Sequence, residues 1–264
     1  MALTYSEYLQ LNSLLESQKL LSEGPEHDEM LFIIIHQAYE LWFKEILHEM
    51  DYLKELLGHK DLARSLHTMK RILTILKILV AQIDILETMT PLEFLSFRDR
   101  LESASGFQSA QFREIELCLG KRTPGMLNRT HFGNKERIKI EKRITEPAVW
   151  DAFIDYLSKI GYEVPEPYLK RDYSQPITAS QSIQNIIKLI YKSDPVNSQF
   201  CELMVDLDEG FQEWRYRHVK MVQRTIGTKM GTGGSDGVKY LMTTLNQPFF
   251  PDLWEIRAEL QKDV

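Results

Sequence analysis

Cysteine is scarce in this chain of 264 residues: only Cys118 and Cys201 occur, far apart and outside any metal-ligand spacing. That excludes a multiply stapled scaffold and a cysteine zinc site; a single disulfide is open, but two isolated thiols in a chain this long suit a reducing cytoplasm better. Long apolar runs are also missing. The longest, from Met30 to Ile35 and from Ile72 to Val80, are too short to cross a bilayer, so no membrane association is expected. No basic stripe exists either. With 32 Lys and Arg against 38 Asp and Glu, the net charge is -6, and a phosphate backbone would be repelled on average, which argues against nucleic acid as a partner. Residues 1–21 are polar and lack a basic segment followed by an apolar block, so no secretory signal is expected there. Alternation of period two, the mark of half-buried strands, is absent.

What the chain has instead is helical periodicity. Between His27 and Leu57 neither Gly nor Pro intervenes, while Leu31, Ile34, Ile35, Ala38, Leu41, Trp42, Ile46, Met50, Leu53 and Leu57 recur at helical spacing. This predicts one long helix with Gly58 as its stop. A second is predicted from about Asp61 to Leu86, and the short turn between them makes the pair antiparallel. Thr90-Pro91-Leu92-Glu93 combines a cap, Pro at the first helical position and an acid three residues on, so a helix should start there and run towards Leu101. Shorter helices are expected at 108–119, 135–143 and 147–160. The prolines at 165, 167 and 176 mark the poorest stretch for regular structure. A third long helix should run from Asp194-Pro195 to Ile226 and end at Gly227, followed by a Gly-rich loop to Gly237 and short helices at 238–245 and 251–262. The expected class is all-α: a single domain over 1–264, a bundle of long antiparallel helices with shorter ones added and a ligand pocket between helices.

Two of the seven histidines fall on faces that should be buried. Phe211, Trp214, Arg215, His218 and Val222 share a stripe at three- and four-residue spacing, which turns His218 inward. A buried neutral imidazole is either a hydrogen-bonded core residue or an axial ligand to a haem iron. His36, beside Phe32 and Ile35 and one turn before Glu40, is either a core histidine or a hydrogen-bond acceptor or base for a substrate. Arg98, between Phe94 and Phe97, either snorkels over apolar rings or clamps a carboxylate. Glu45-Ile-Leu-His48 has di-iron spacing but lacks the second such pair that a di-iron bundle needs, which leaves a solvated helix face. The Gly-rich loop lacks the phosphate-cradle order and follows a helix rather than a strand; a lid over a pocket, or a plain connection, remains.

Three segments together carry a resemblance. His27-Asp-Glu-Met-Leu-Phe-Ile-Ile-Ile-His-Gln-Ala-Tyr-Glu-Leu-Trp42, then Phe97-Arg-Asp99 with Ser105-Gly-Phe-Gln-Ser109, then Trp214-Arg-Tyr-Arg-His218 with Gly231-Thr-Gly-Gly-Ser-Asp-Gly237, resemble the signatures of the tryptophan 2,3-dioxygenases in order and spacing. The resemblance implies a cytoplasmic homotetramer with one haem b per subunit. It implies addition of both atoms of O2 across the indole C2–C3 bond of L-tryptophan, giving N-formylkynurenine and opening the kynurenine pathway of tryptophan degradation. By the same resemblance, His218 is the axial ligand, His36 the distal histidine near the indole nitrogen, and Arg98 the partner of the substrate carboxylate. Thr232 would bind the substrate ammonium and carboxylate, Phe32 would pack on the indole, and Ser105 would supply a hydroxyl near the haem. Tyr5, Tyr8 and Leu9 would complete a neighbouring subunit's pocket, with residues 1–20 docking there. Phe94, Ala104 and Ile83 depart from the residues that relatives carry (Tyr, Ser and, in some, Trp), which bears on haem-edge contacts rather than on the ligand or the clamp. Two rivals remain: a haem enzyme that acts on a related indole or aryl amine, and a helical scaffold without haem.

Overall fold

The computed structural model describes residues 2–123, 132–227, 229 and 238–260, and no strand occurs among them. Its frame is three long helices: α3 (Asp28–Gly58), α4 (Leu62–Leu86) and α11 (Pro195–Ile226). The terminal Gly58 of α3 is helical, and the chain reverses two residues later, where Lys60 takes a left-handed φ of 62°. Asp61 then caps α4 by accepting from the Arg64 N–H at 3.0 Å. The reversal therefore rests on Lys60 and Asp61 rather than on a glycine at the stop.

α4 lies between α3 and α11. One buried stripe unites the three, including Met50 and Leu53 of α3, Ile72, Leu76 and Leu79 of α4, and Phe200, Met204 and Phe211 of α11. Where α11 crosses α4, a Cβ built on Gly210 would stand 2.6 Å from Leu76 Cδ2, so the lack of a side chain sets the approach of the helices. Gly227 ends α11 as expected, with a φ of 62° that favours glycine.

The shorter elements close the ends of this frame. α5 (Pro91–Arg98) begins with the expected capping box, worth about 1 kcal/mol. It stops at Arg98 and continues as a 3-10 turn over Asp99–Leu101, short of the single helix to Leu101 that its start suggests. α6 (Ala110–Cys118) and α8 (Val149–Lys159) pack on α3, and α7 (Asn134–Ile144) packs on α6. Four helices go beyond the sequence reading: α1 (Tyr5–Leu9), α2 (Leu11–Leu15), α9 (Glu166–Leu169) and α10 (Gln181–Ser193). α12 (Val238–Thr243) and α13 (Pro251–Glu255) are shorter than expected; a 3-10 turn at Ile256–Ala258 ends α13, and the last residues of its expected span lie outside the described residues. No described helix is long and apolar enough to cross a membrane.

Candidate active site

A cavity opens between α3, α4, α5, α6 and α11, with about 1720 Å³ of empty space when its mouth is included. Its wall is mostly apolar, through Phe32, Phe43, Ile83, Leu86, Phe94, Phe112 and Val222, with a small set of polar groups. That balance suits a large, mainly hydrophobic ligand oriented by a few polar contacts.

His36 and His218 enter this cavity from different helices. On α3, the His36 ring packs on Phe32 with centroids 4.1 Å apart, and Nδ1 lies 2.7 Å from the Phe32 carbonyl oxygen. A carbonyl only accepts, so Nδ1 carries the proton and Nε2 offers a lone pair. Burial lowers the His36 pKa from its ordinary value of 6.5, against the opposing pull of the Phe32 carbonyl and Glu40. Gln111 of α6 holds Glu40 in place, donating to its backbone oxygen and its carboxylate at 2.8 Å each.

On α11, His218 stacks on Trp214 one turn earlier, with centroids 5.2 Å apart and planes within 5°. Trp214 in turn contacts Phe112, Phe43 and Tyr39, so the His218 ring is held by a cluster of aromatic rings. Burial first, and the charge of His36 second, push the His218 pKa down to about 4. Among the described residues neither ring nitrogen of His218 has a hydrogen-bond partner. It is a buried neutral imidazole, fixed in direction by the stack on Trp214.

Phe32, Arg98, Ser105, Phe94, Ala104 and Ile83 all reach the same cavity. Phe32 anchors a ring cluster with Phe94 and Phe97 at 5.8 and 5.6 Å, which rests on the fully buried Phe97 and carries Arg98 beside it. The Ser105 hydroxyl oxygen accepts from the Phe107 N–H at 3.3 Å, so its own hydrogen remains available to a ligand. Tyr5, Tyr8 and Leu9 do not line the cavity of their own chain; they are exposed on α1, Tyr5 by 75% and Tyr8 by 73%. Thr232, with the rest of the Gly231–Gly237 segment, lies outside the described residues. His48, on the Glu45–His48 stretch of α3, is exposed.

Sequence reasoning missed the polar end of the cavity. Arg113, Glu116 and Arg215 line it together, from α6 and α11. Arg215 falls on the inward stripe with His218, which was the available signal; its partners on α6 are distant in sequence and gave none.

The fold and the site define an all-α protein with an apolar, histidine-bearing ligand pocket. The family model described as tryptophan 2,3-dioxygenase matches residues 1–159 and 178–260. The chain is 56% identical to the tryptophan 2,3-dioxygenase of Herpetosiphon aurantiacus over 260 residues, covering 98% of this chain and 99% of that one. It is 50% identical to that of Anaeromyxobacter sp. strain K (98% and 97% covered) and 42% identical to that of Bacillus thuringiensis subsp. konkukian (98% and 93%). This chain belongs to the tryptophan 2,3-dioxygenase family.

Proposed function

We propose that the chain adds both atoms of O2 across the indole C2–C3 bond of L-tryptophan to form N-formylkynurenine, the first step of tryptophan degradation by the kynurenine pathway, using one haem b per subunit. The observation that carries this reading is His218: a neutral imidazole stacked on Trp214, with no protein hydrogen bond among the described residues, on the wall of an apolar cavity. Such a donor fits an axial ligand to haem iron, and the surrounding apolar wall fits the face of a porphyrin. Bound there, ferrous haem would supply the electrons that O2 needs to react with a closed-shell indole.

The chain's own residues do the rest. Arg98 presents a planar fork to the substrate carboxylate, and Thr232 takes the ammonium and carboxylate. Phe32 packs on the indole. His36, with its proton held on Nδ1 by the Phe32 carbonyl, accepts the indole N–H at Nε2; it orients the ring and is not an obligatory base. Ser105 offers its hydroxyl hydrogen near the haem. Phe94, which has no hydroxyl, contributes packing alone at its position.

We also propose a homotetramer in the cytoplasm, with residues 1–20 closing a neighbour's pocket. Exposed Tyr5, Tyr8 and Leu9 on a helix without a buried residue support the docking, and the free thiols of Cys118 and Cys201 support a reducing compartment. The test is anaerobic reduction of the purified protein followed by O2 and L-tryptophan. A Soret band and a product of tryptophan plus two oxygen atoms are expected. A haem-free protein, or a product with one oxygen, would overturn the reading.

A further inference from the structure

The α11 wall of the cavity changes character along its length. Val222 and Ile226, on the C-terminal side of His218, are apolar. Arg215 lies three residues on the other side, about 4.5 Å along the helix axis at 1.5 Å per residue. Here α6 brings in Arg113 and Glu116. Glu116 Oε2 accepts from Arg113 Nη1 at 2.5 Å, and its Oε1 accepts from Lys121 Nζ at 3.0 Å and Arg215 Nη2 at 3.4 Å.

Three cations thus converge on one carboxylate in a place poor in water, for the side chains of Glu116 and Arg215 are only 3% and 5% exposed. Asp208 also faces Arg215, yet it is already engaged by the N–H groups of Phe249 and Phe250 and the indole N–H of Trp254. With both carboxylates counted in full, one positive charge stays uncompensated. A buried excess charge is costly unless an anion meets it. Arg113, whose guanidinium lies 4.7 Å from the Phe107 ring centroid on the cavity wall, is the member placed to meet one.

We infer that Arg113, with Lys121 and Arg215 behind it, is the seat of a ligand carboxylate, and that this carboxylate belongs to the porphyrin's propionate edge rather than to the amino acid. The inference rests on the haem reading above. It follows from the polarity of the wall: a planar ligand held by His218 would lay its hydrocarbon edge along Val222 and Ile226 and its charged edge towards Arg215. The substrate carboxylate has its own cation, Arg98, on α5. Arg215 acts here as a positioning residue. Its Nη1 donates to the carbonyl oxygens of Thr244 and Gln247 at 3.3 Å each, so the seat is tied to the segment after α12.

The full chain, prepared without haem, is titrated with ferric haem and with haem dimethyl ester, whose ring is intact but whose carboxylates are capped, and the Soret band is followed. Wild type should bind the ester about tenfold more weakly than haem, as expected for loss of a charge-assisted contact. Arg113→Gln should lose about the same factor for haem and nothing for the ester, while Arg113→Lys recovers part of the loss. Equal affinity of wild type for haem and ester, with a normal Soret band, would overturn the carboxylate seat and leave the haem reading standing. No Soret band with either would overturn both. The comparison in wild type needs no variant to fold. If Arg113→Gln instead removed the preference for L-tryptophan over tryptamine, with haem and ester binding unchanged, the carboxylate would be the substrate's and the inference wrong.

Discussion

His36 and His218 line one cavity but differ in a single bond: Nδ1 of His36 donates to the Phe32 carbonyl at 2.7 Å, whereas the His218 ring has no hydrogen bond among the described residues. The first is held as the tautomer with its proton on Nδ1. The second is held by its stack on Trp214 instead. Two buried imidazoles in one pocket thus have different local surroundings.

Replacing His36 with Ala removes an orienting hydrogen bond, worth about 1 kcal/mol. We expect turnover to fall by roughly a factor of ten, with tryptophan and O2 still bound. Complete loss of turnover with both substrates bound would make His36 an obligatory base.

Arg98→Lys keeps the charge and discards the fork. The KM for L-tryptophan should rise about tenfold or more, with a smaller change in kcat, in steady-state assays. An unchanged KM would remove Arg98 from the carboxylate site.

At Gly210 the space for a side chain is already taken by Leu76. Gly210→Val should cost about 1–3 kcal/mol through overpacking between α4 and α11, read as a lower urea midpoint. A midpoint at or above that of wild type would show that the two helices separate freely there.

Burial pushes the Glu116 carboxyl up, but Arg113, Lys121 and Arg215 together outweigh it, and its pKa lies below the ordinary 4.5. A folded-state pKa below the unfolded value contributes stability that is fully present above pH 4.5 and lost as the pH falls through the folded value. Urea unfolding at pH 7 and pH 3.5 should therefore show a steep acid loss in wild type. Glu116→Gln, less stable at pH 7, should show a shallower one. Parallel losses in the two proteins would contradict the assignment.

The long helices are legible in the sequence because nothing interrupts their periodicity, and the cap read at Thr90-Pro91 does start α5; that Asp61 and Asp194 cap α4 and α11 emerges only in the structure. It failed where local signals are weak or misleading. α1 is held by a capping box at Thr4 but buries nothing, so no apolar stripe announces it. α10 is strongly amphipathic, with Ile183, Ile187 and Ile190 buried, yet it follows a proline-rich stretch whose local signals oppose regular structure. At the site, His218, His36 and Arg98 could be placed on inward or aromatic faces from spacing alone, and their assembly in one cavity is a tertiary fact. The Glu116 cluster could not be seen at all, because ordinary surface-type charges become a buried group only when α6 meets α11.

Whether His218 holds the haem iron is decided by a haem titration of His218→Ala beside wild type, with far-UV circular dichroism on both. If it does, the variant keeps an unchanged helical spectrum but shows a lost or strongly weakened Soret band, together with lost activity. A variant that binds haem with wild-type affinity and an unaltered Soret band would contradict it.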